Sequence, residues 1–100
     1  MMQFGLAVED VNEIKDVFRK YPNVKEVLLF GSRAIGNYKP GSDIDLAIAG
    51  DNIMFDEILE INNALDKLGM LYQFDLKHIS VIKDSDVLAH IKRVGKILYP

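Results

Sequence analysis

One hundred residues, 49% of them apolar and 27% charged with a net charge of −3, suit one soluble domain with an adequate core. The acidic balance argues against a surface that coats nucleic acid, which needs basic cover, and no direct nucleic-acid contact is expected. With no cysteine, disulfides, thiolate catalysis and thiolate zinc sites are excluded, and His78 and His90 are too few and too far apart for a convincing metal cluster.

Taken in chain order, the first predicted element is a helix over Asp10–Tyr21, with Val11, Ile14, Val17 and Phe18 at helical spacing, Asp10 as N-cap and Pro22 as stop. Val24–Phe30 is short, β-branched and apolar, the pattern of a mostly buried strand. Gly31–Ser42 (GSRAIGNYKPGS) holds three glycines and one proline in twelve positions. It is predicted as a loop, with one helical turn capped by Ser32 and a type II turn centred on Pro40–Gly41. A strand over Asp43–Ala49 follows, then a helix over 53–68 closed by Gly69. A strand region over 71–82 and a helix capped by Asp84 or Ser85 and ending near Gly95 complete the order αβ(loop)βαβα. The expected fold class is α/β (α+β), a small mixed sheet with helices packed against it, in a single domain over 1–100. No apolar run approaches the roughly 20 residues that span a bilayer, and the start lacks a signal-type pattern. The expected address is therefore the cytoplasm, away from membranes. A domain this small buries only about 60–70% of its unfolded surface, which makes a partner chain a reasonable expectation.

The chemistry gathers between positions 31 and 45. Gly31 lets backbone amides approach a phosphate, Ser32 adds a hydroxyl, and Arg33 brings a charged fork. Asp43 and Asp45, two apart on a strand, project from one face and repel each other, a conflict that a hard cation such as Mg²⁺ relieves. Asp75 interrupts an apolar strand, QFDLKHI, with Phe74 and Leu76 on one side and Asp75 and Lys77 on the other. If that strand pairs beside 43–49, three carboxylates converge in the manner of a two-metal transfer site. Each piece also has a plain structural reading: Gly–Ser as a common strand-to-helix turn, D-x-D as a strand leaving a turn, Asp75 as the polar side of a half-exposed strand.

Read together, Gly31-Ser32, ten residues, then Asp43-x-Asp45 resembles the signature of the DNA polymerase β nucleotidyltransferase superfamily. The run GSRAIG…GSDIDLAI is similar to its minimal nucleotidyltransferase (MNT) branch in particular. The likeness extends over nearly the whole chain, to the closing IKRVGKILY, with Ile35 standing where many relatives carry arginine. It implies a nucleotidyltransferase fold in which Gly31, Ser32, Arg33 and Ser42 serve the nucleotide. Asp43, Asp45 and Asp75 would serve catalysis and bind magnesium, in two ions, with ATP as substrate. It further implies transfer of NMP, chiefly AMP, to a hydroxyl such as a tyrosine of a helical HEPN partner, in a toxin–antitoxin pair. The alternative is a non-catalytic subunit that binds nucleotide or occludes its partner. Modification of a small molecule is disfavoured by length.

Among the remaining residues, Lys77 is read as an ion-pair partner of Asp75 and His78 as packed against a helix. Tyr38 is read as a base-stacking candidate or a loop tip, and the basic residues of the last helix as a solvated face.

Overall fold

The first element differs from expectation at its start. In the computed structural model, which describes residues 2–100, α1 runs Val8–Arg19 and its N-cap is Ala7, which offers no side-chain bond. Asp10 lies inside the first turn with Glu9, where it acts on the helix dipole instead of capping. The earlier start follows from a miniature hairpin: β1 (Met2–Gln3) and β2 (Leu6–Ala7) pair antiparallel, with Gln3 opposite Leu6. The two connecting residues, Phe4 and Gly5, have φ of 57° and 75°, the geometry of a type I′ turn, and deliver the chain directly into α1.

β3 is Val24–Phe30, as predicted, and Gly31 then caps α2, Ser32–Ile35. The turn at Pro40–Gly41 is closed by Ser42 N–H donating to the Lys39 carbonyl, but Gly41 lacks the positive φ that a type II turn requires. β4 is Ile44–Gly50, so Asp43 stands one residue before the strand. α3 is Phe55–Asp66, with Gly69 at φ 72° just beyond its end. β5 is shorter than expected, Phe74–His78, because the chain bends into a 3₁₀ turn at Ile79–Val81. α4, Ser85–Val94, is capped by Asp84, whose carboxylate accepts from the amides of Asp86 and Val87. A last strand, β6 (Lys96–Tyr99), was absent from the sequence reading. The order of elements thus gains β1, β2 and β6.

Four strands form one mixed sheet in the order β5-β4-β3-β6; β4 and β5 are parallel and the other pairs antiparallel. The period-2 alternation of side chains divides the sheet into two faces. Val27, Leu29, Ile44, Leu46 and Ile48 meet α1 and α3 in the main core, which Phe18, Ile61 and Leu98 complete. On the other face Phe30 and Ala47 pack under Ile91 of α4, flanked by Leu28, Val87 and Val94. Asp45 and Ala47 alternate with the core residues of β4, as Asp75 and Lys77 do on β5, so the charged side chains share the α4 face. Among the described residues no helix is long and apolar enough to cross a membrane.

Candidate active site

Registry assembles the site. In the parallel ladder Asp45 lies opposite Asp75, and in the antiparallel ladder Asp45 lies opposite Phe30. Neighbours in register point to the same face, so the two carboxylates stand side by side on the α4 face. Gly31 follows Phe30 immediately, at φ 75° and ψ −155°. A Cβ there would run into a carboxylate oxygen of Asp45, so only glycine allows strand, turn and acid to approach this closely.

Burial pushes the Asp45 carboxyl above its ordinary value, and the carboxylates of Asp75 and Asp43 push it the same way. Lys77 and His90 pull in the opposite direction without cancelling the rise. Lys77 Nζ sits 3.7 Å from Asp75 Oδ2, the ion pair anticipated for it. His90, on α4, meets the Phe30 ring edge-on at 6.2 Å between centroids, which brings it over the same corner of the sheet. Sequence reasoning gave His90 no part in the site, because only the docking of α4 brings it there. Asp43 and Asp75 are exposed and Asp45 half-buried, so the acids open to solvent.

This donor set is suited to a hard divalent cation: carboxylates on neighbouring strands, of which Asp45 is raised first by burial and then by the other two acids. Among the described residues, however, no three His, Asp or Glu side chains already converge as a ligand cage. The strands bring Asp45 and Asp75 together, with Asp43 in electrostatic reach, and side-chain rotation is left to close a coordination shell.

Arg33 is not where the sequence suggested. An arginine fork turned toward phosphate is the expectation to correct: the residue is 2% exposed, and its guanidinium donates to the carbonyls of Ser42, Pro40 and Phe4. Tyr72 and Tyr38 cover it, with ring centroids 4.8 Å and 5.1 Å from Cζ. No counter-carboxylate reaches it among the described residues; backbone dipoles and two aromatic faces stabilise the charge instead. Arg33 therefore ties the hairpin turn at Phe4 and the loop before Asp43 to α2. Ser42 contributes to the same lock, its Oγ accepting from the Lys39 amide at 2.8 Å. Tyr38 stacks on Arg33 and abuts Gly5, where a Cβ would meet its ring. A base-stacking role thus gives way to a structural one. His78 bonds to Ser80 Oγ through Nε2 at 2.8 Å.

The family model described as "Polymerase beta, Nucleotidyltransferase" matches residues 12–100. The chain is 33% identical over 90 residues to the protein adenylyltransferase MntA of Aphanizomenon flos-aquae, covering 80% of this chain and 59% of that one. It spans between half and about three fifths of the length of the curated relatives it matches. A crystal structure described as a toxin–antitoxin with AMP-PNP superimposes with a TM-score of 0.69 at 27% identity, over 88% of this chain and 71% of that one. A second, described as a tri-AMPylated Shewanella oneidensis HEPN toxin in complex with MNT antitoxin, has a TM-score of 0.64 at 24% identity, over 90% of this chain and 69% of that one. At that identity it shows the shared fold alone.

Proposed function

The chain belongs to the polymerase β nucleotidyltransferase family, and on that premise we propose that it moves AMP from ATP to a hydroxyl, a tyrosine of a helical HEPN-type partner, as the antitoxin of a pair. The observation that carries this reading is the lateral pairing of Asp45 with Asp75 beside a glycine that admits no side chain. The names of the relatives point the same way. In this reading Asp43 and Asp45 would hold the magnesium that travels with the triphosphate, and Asp75 would help to hold a second ion. Bound magnesium supplies charge neutralisation to the phosphates and a lowered pKa to the acceptor hydroxyl.

The remaining work belongs to the chain. Gly31 and Ser32 orient the triphosphate tail so that pyrophosphate departs opposite the incoming oxygen. Asp75 is exposed and receives the proton of the acceptor hydroxyl on a carboxylate oxygen. Arg33 and Ser42 hold the loop that sets Asp43. No protein nucleophile is required.

The test is incubation with Mg²⁺, ATP labelled at the α-phosphate, and a purified HEPN protein. Label enters the partner with the wild-type chain and is lost with Asp45→Asn, while the complex still forms. Binding of Mg²⁺–ATP with no transfer would overturn the enzymatic reading and leave that of a nucleotide-binding, occluding subunit.

A further inference from the structure

A concave feature borders the acids through Lys77. A groove of about 480 Å³ runs between the start of α3, β5, the 3₁₀ turn and the start of α4. Its walls are mainly apolar, from Ile53, Phe55, Ile58, Val81, Ile82 and Val87, and its size falls in the range of functional pockets. Phe55 is 72% exposed and Val81 64%. Exposed apolar side chains gathered in one hollow suit it to docking.

Three observations say what covers it. First, β5 is an outer strand of the sheet, paired only with β4 among the described residues, and both Leu76 and Lys77 line the groove. These two point to opposite faces of β5, so the groove wraps the free edge of the strand, where unpaired backbone groups await an extended chain. Second, the formal charges that line it are two lysines, Lys77 and Lys83, against one acid, Asp84, and Lys83 has no ion-pair partner among the described residues. The rim is therefore complementary to negative charge. Third, Lys77 belongs to both features: it lines the groove, and its ammonium lies 3.7 Å from Asp75.

We propose that this groove seats the polypeptide that carries the acceptor hydroxyl, as an extended segment of alternating apolar and acidic residues lying along the edge of β5. Apolar side chains enter between Phe55, Val81 and Val87, acidic ones meet Lys83 and Lys77, and the chain leaving the groove past Lys77 brings its hydroxyl to Asp75. The inference rests on the nucleotidyl-transfer reading and adds the acceptor's chemistry and position to it.

The experiment uses the full ¹⁵N-labelled chain and a short synthetic peptide alternating leucine and glutamate around one tyrosine, with a counterpart carrying lysine for glutamate. The acidic peptide should shift the amides of Val81, Lys83 and Val87, and bind about tenfold more tightly than the basic one. Val81→Asp and Phe55→Asp, both at exposed positions, should weaken it about tenfold with the melting temperature unchanged. Equal binding to wild type and variants, preference for the basic peptide, or no shifts in the groove overturns the proposal. Titration of the same sample with Mg²⁺–ATP separates the two readings. Shifts at Gly31 and Ser32 without peptide binding reject the groove alone. No response to Mg²⁺–ATP rejects the nucleotidyl-transfer reading, and with it the acceptor role.

Discussion

Arg33 donates through both Nε and Nη2 to the carbonyl of Ser42, the residue before Asp43, at 3.2 and 3.0 Å. A charge buried to 2% exposure is thus held entirely by main-chain oxygens and two tyrosine faces, and the position of the first acid depends on it. Phe4 sits at a φ of 57°, unusual for a bulky residue, and its carbonyl is one of the three that accept.

Replacing this fork should therefore be costly in two ways. Arg33→Ala leaves three carbonyls without their donor and should lower stability by about 2–4 kcal/mol in urea unfolding. Arg33→Lys keeps the charge but cannot bridge Ser42, Pro40 and Phe4 together, and should still cost about 1–3 kcal/mol. Under conditions where both variants remain folded, Mg²⁺–ATP should bind more weakly than to wild type, because Asp43 loses its fixed approach. Unchanged stability in Arg33→Lys would show that the guanidinium geometry does not matter.

Gly31 allows a sharper test, since it joins backbone geometry to the acids. Gly31→Ala places a methyl group in the space of the Asp45 carboxylate and demands a φ of 75° from an alanine. A loss of about 1–3 kcal/mol is expected, with displacement of Asp45. Calorimetry should then detect little Mg²⁺–ATP binding even in folded protein. The contrast is Gly36→Ala, where φ is 98° but no atom lies near the new methyl: stability should fall while binding survives.

The acids themselves should destabilise the metal-free protein. The Asp45 carboxyl is raised by burial and by Asp75 and Asp43, so the folded state holds a proton more tightly than the unfolded chain. Stability therefore declines as pH rises from the ordinary carboxylate range through the raised Asp45 value. Asp45→Asn removes this penalty. Without metal, the variant should melt a few degrees above wild type at neutral pH, and the gap should close as pH falls below 3.8. Added Mg²⁺ should raise the melting temperature of wild type and leave the variant unmoved, a stability–function trade of the kind active sites show.

How much of this could be seen in the sequence depended on whether local pattern decided it. β3 and the end of α4 before Gly95 follow from period and capping chemistry, and of the two caps the sequence offers for α4, Asp84 and Ser85, the structure uses Asp84. Opposite faces for Phe74/Leu76 and Asp75/Lys77 follow from alternation, and pairing of β5 beside β4 turned that alternation into Asp45 opposite Asp75. β6 escaped because four residues with only Leu98 fully buried carry too weak a pattern; its partner is β3, nearly seventy residues earlier. β1 and β2 are two residues each and exist through their turn. Arg33 was misplaced for a different reason. Whether a loop arginine is solvated depends on which carbonyls and rings fold over it, and those come from Phe4, Pro40, Ser42, Tyr38 and Tyr72, scattered over most of the chain.

Lys77 gives the last test, because it acts on the same oxygens that a metal would use. Its ammonium lies 3.7 Å from Asp75 Oδ2 and also lowers the Asp45 carboxyl, so in the metal-free chain it is the main local counter-charge to the acids. Both partners are substantially exposed, and such a pair is worth at most about 1 kcal/mol. A divalent ion arriving at Asp75 must therefore compete with Lys77. Lys77→Met should remove the competitor and tighten binding of Mg²⁺ alone by about two- to fivefold at low salt, with the difference shrinking as ionic strength rises. If Asp75 takes no part in metal binding, the substitution should leave Mg²⁺ affinity nearly unchanged at every salt concentration. Lys77→Met paired with Asp75→Asn supplies the control: with the carboxylate gone, removal of the ammonium should make little further difference to Mg²⁺ affinity.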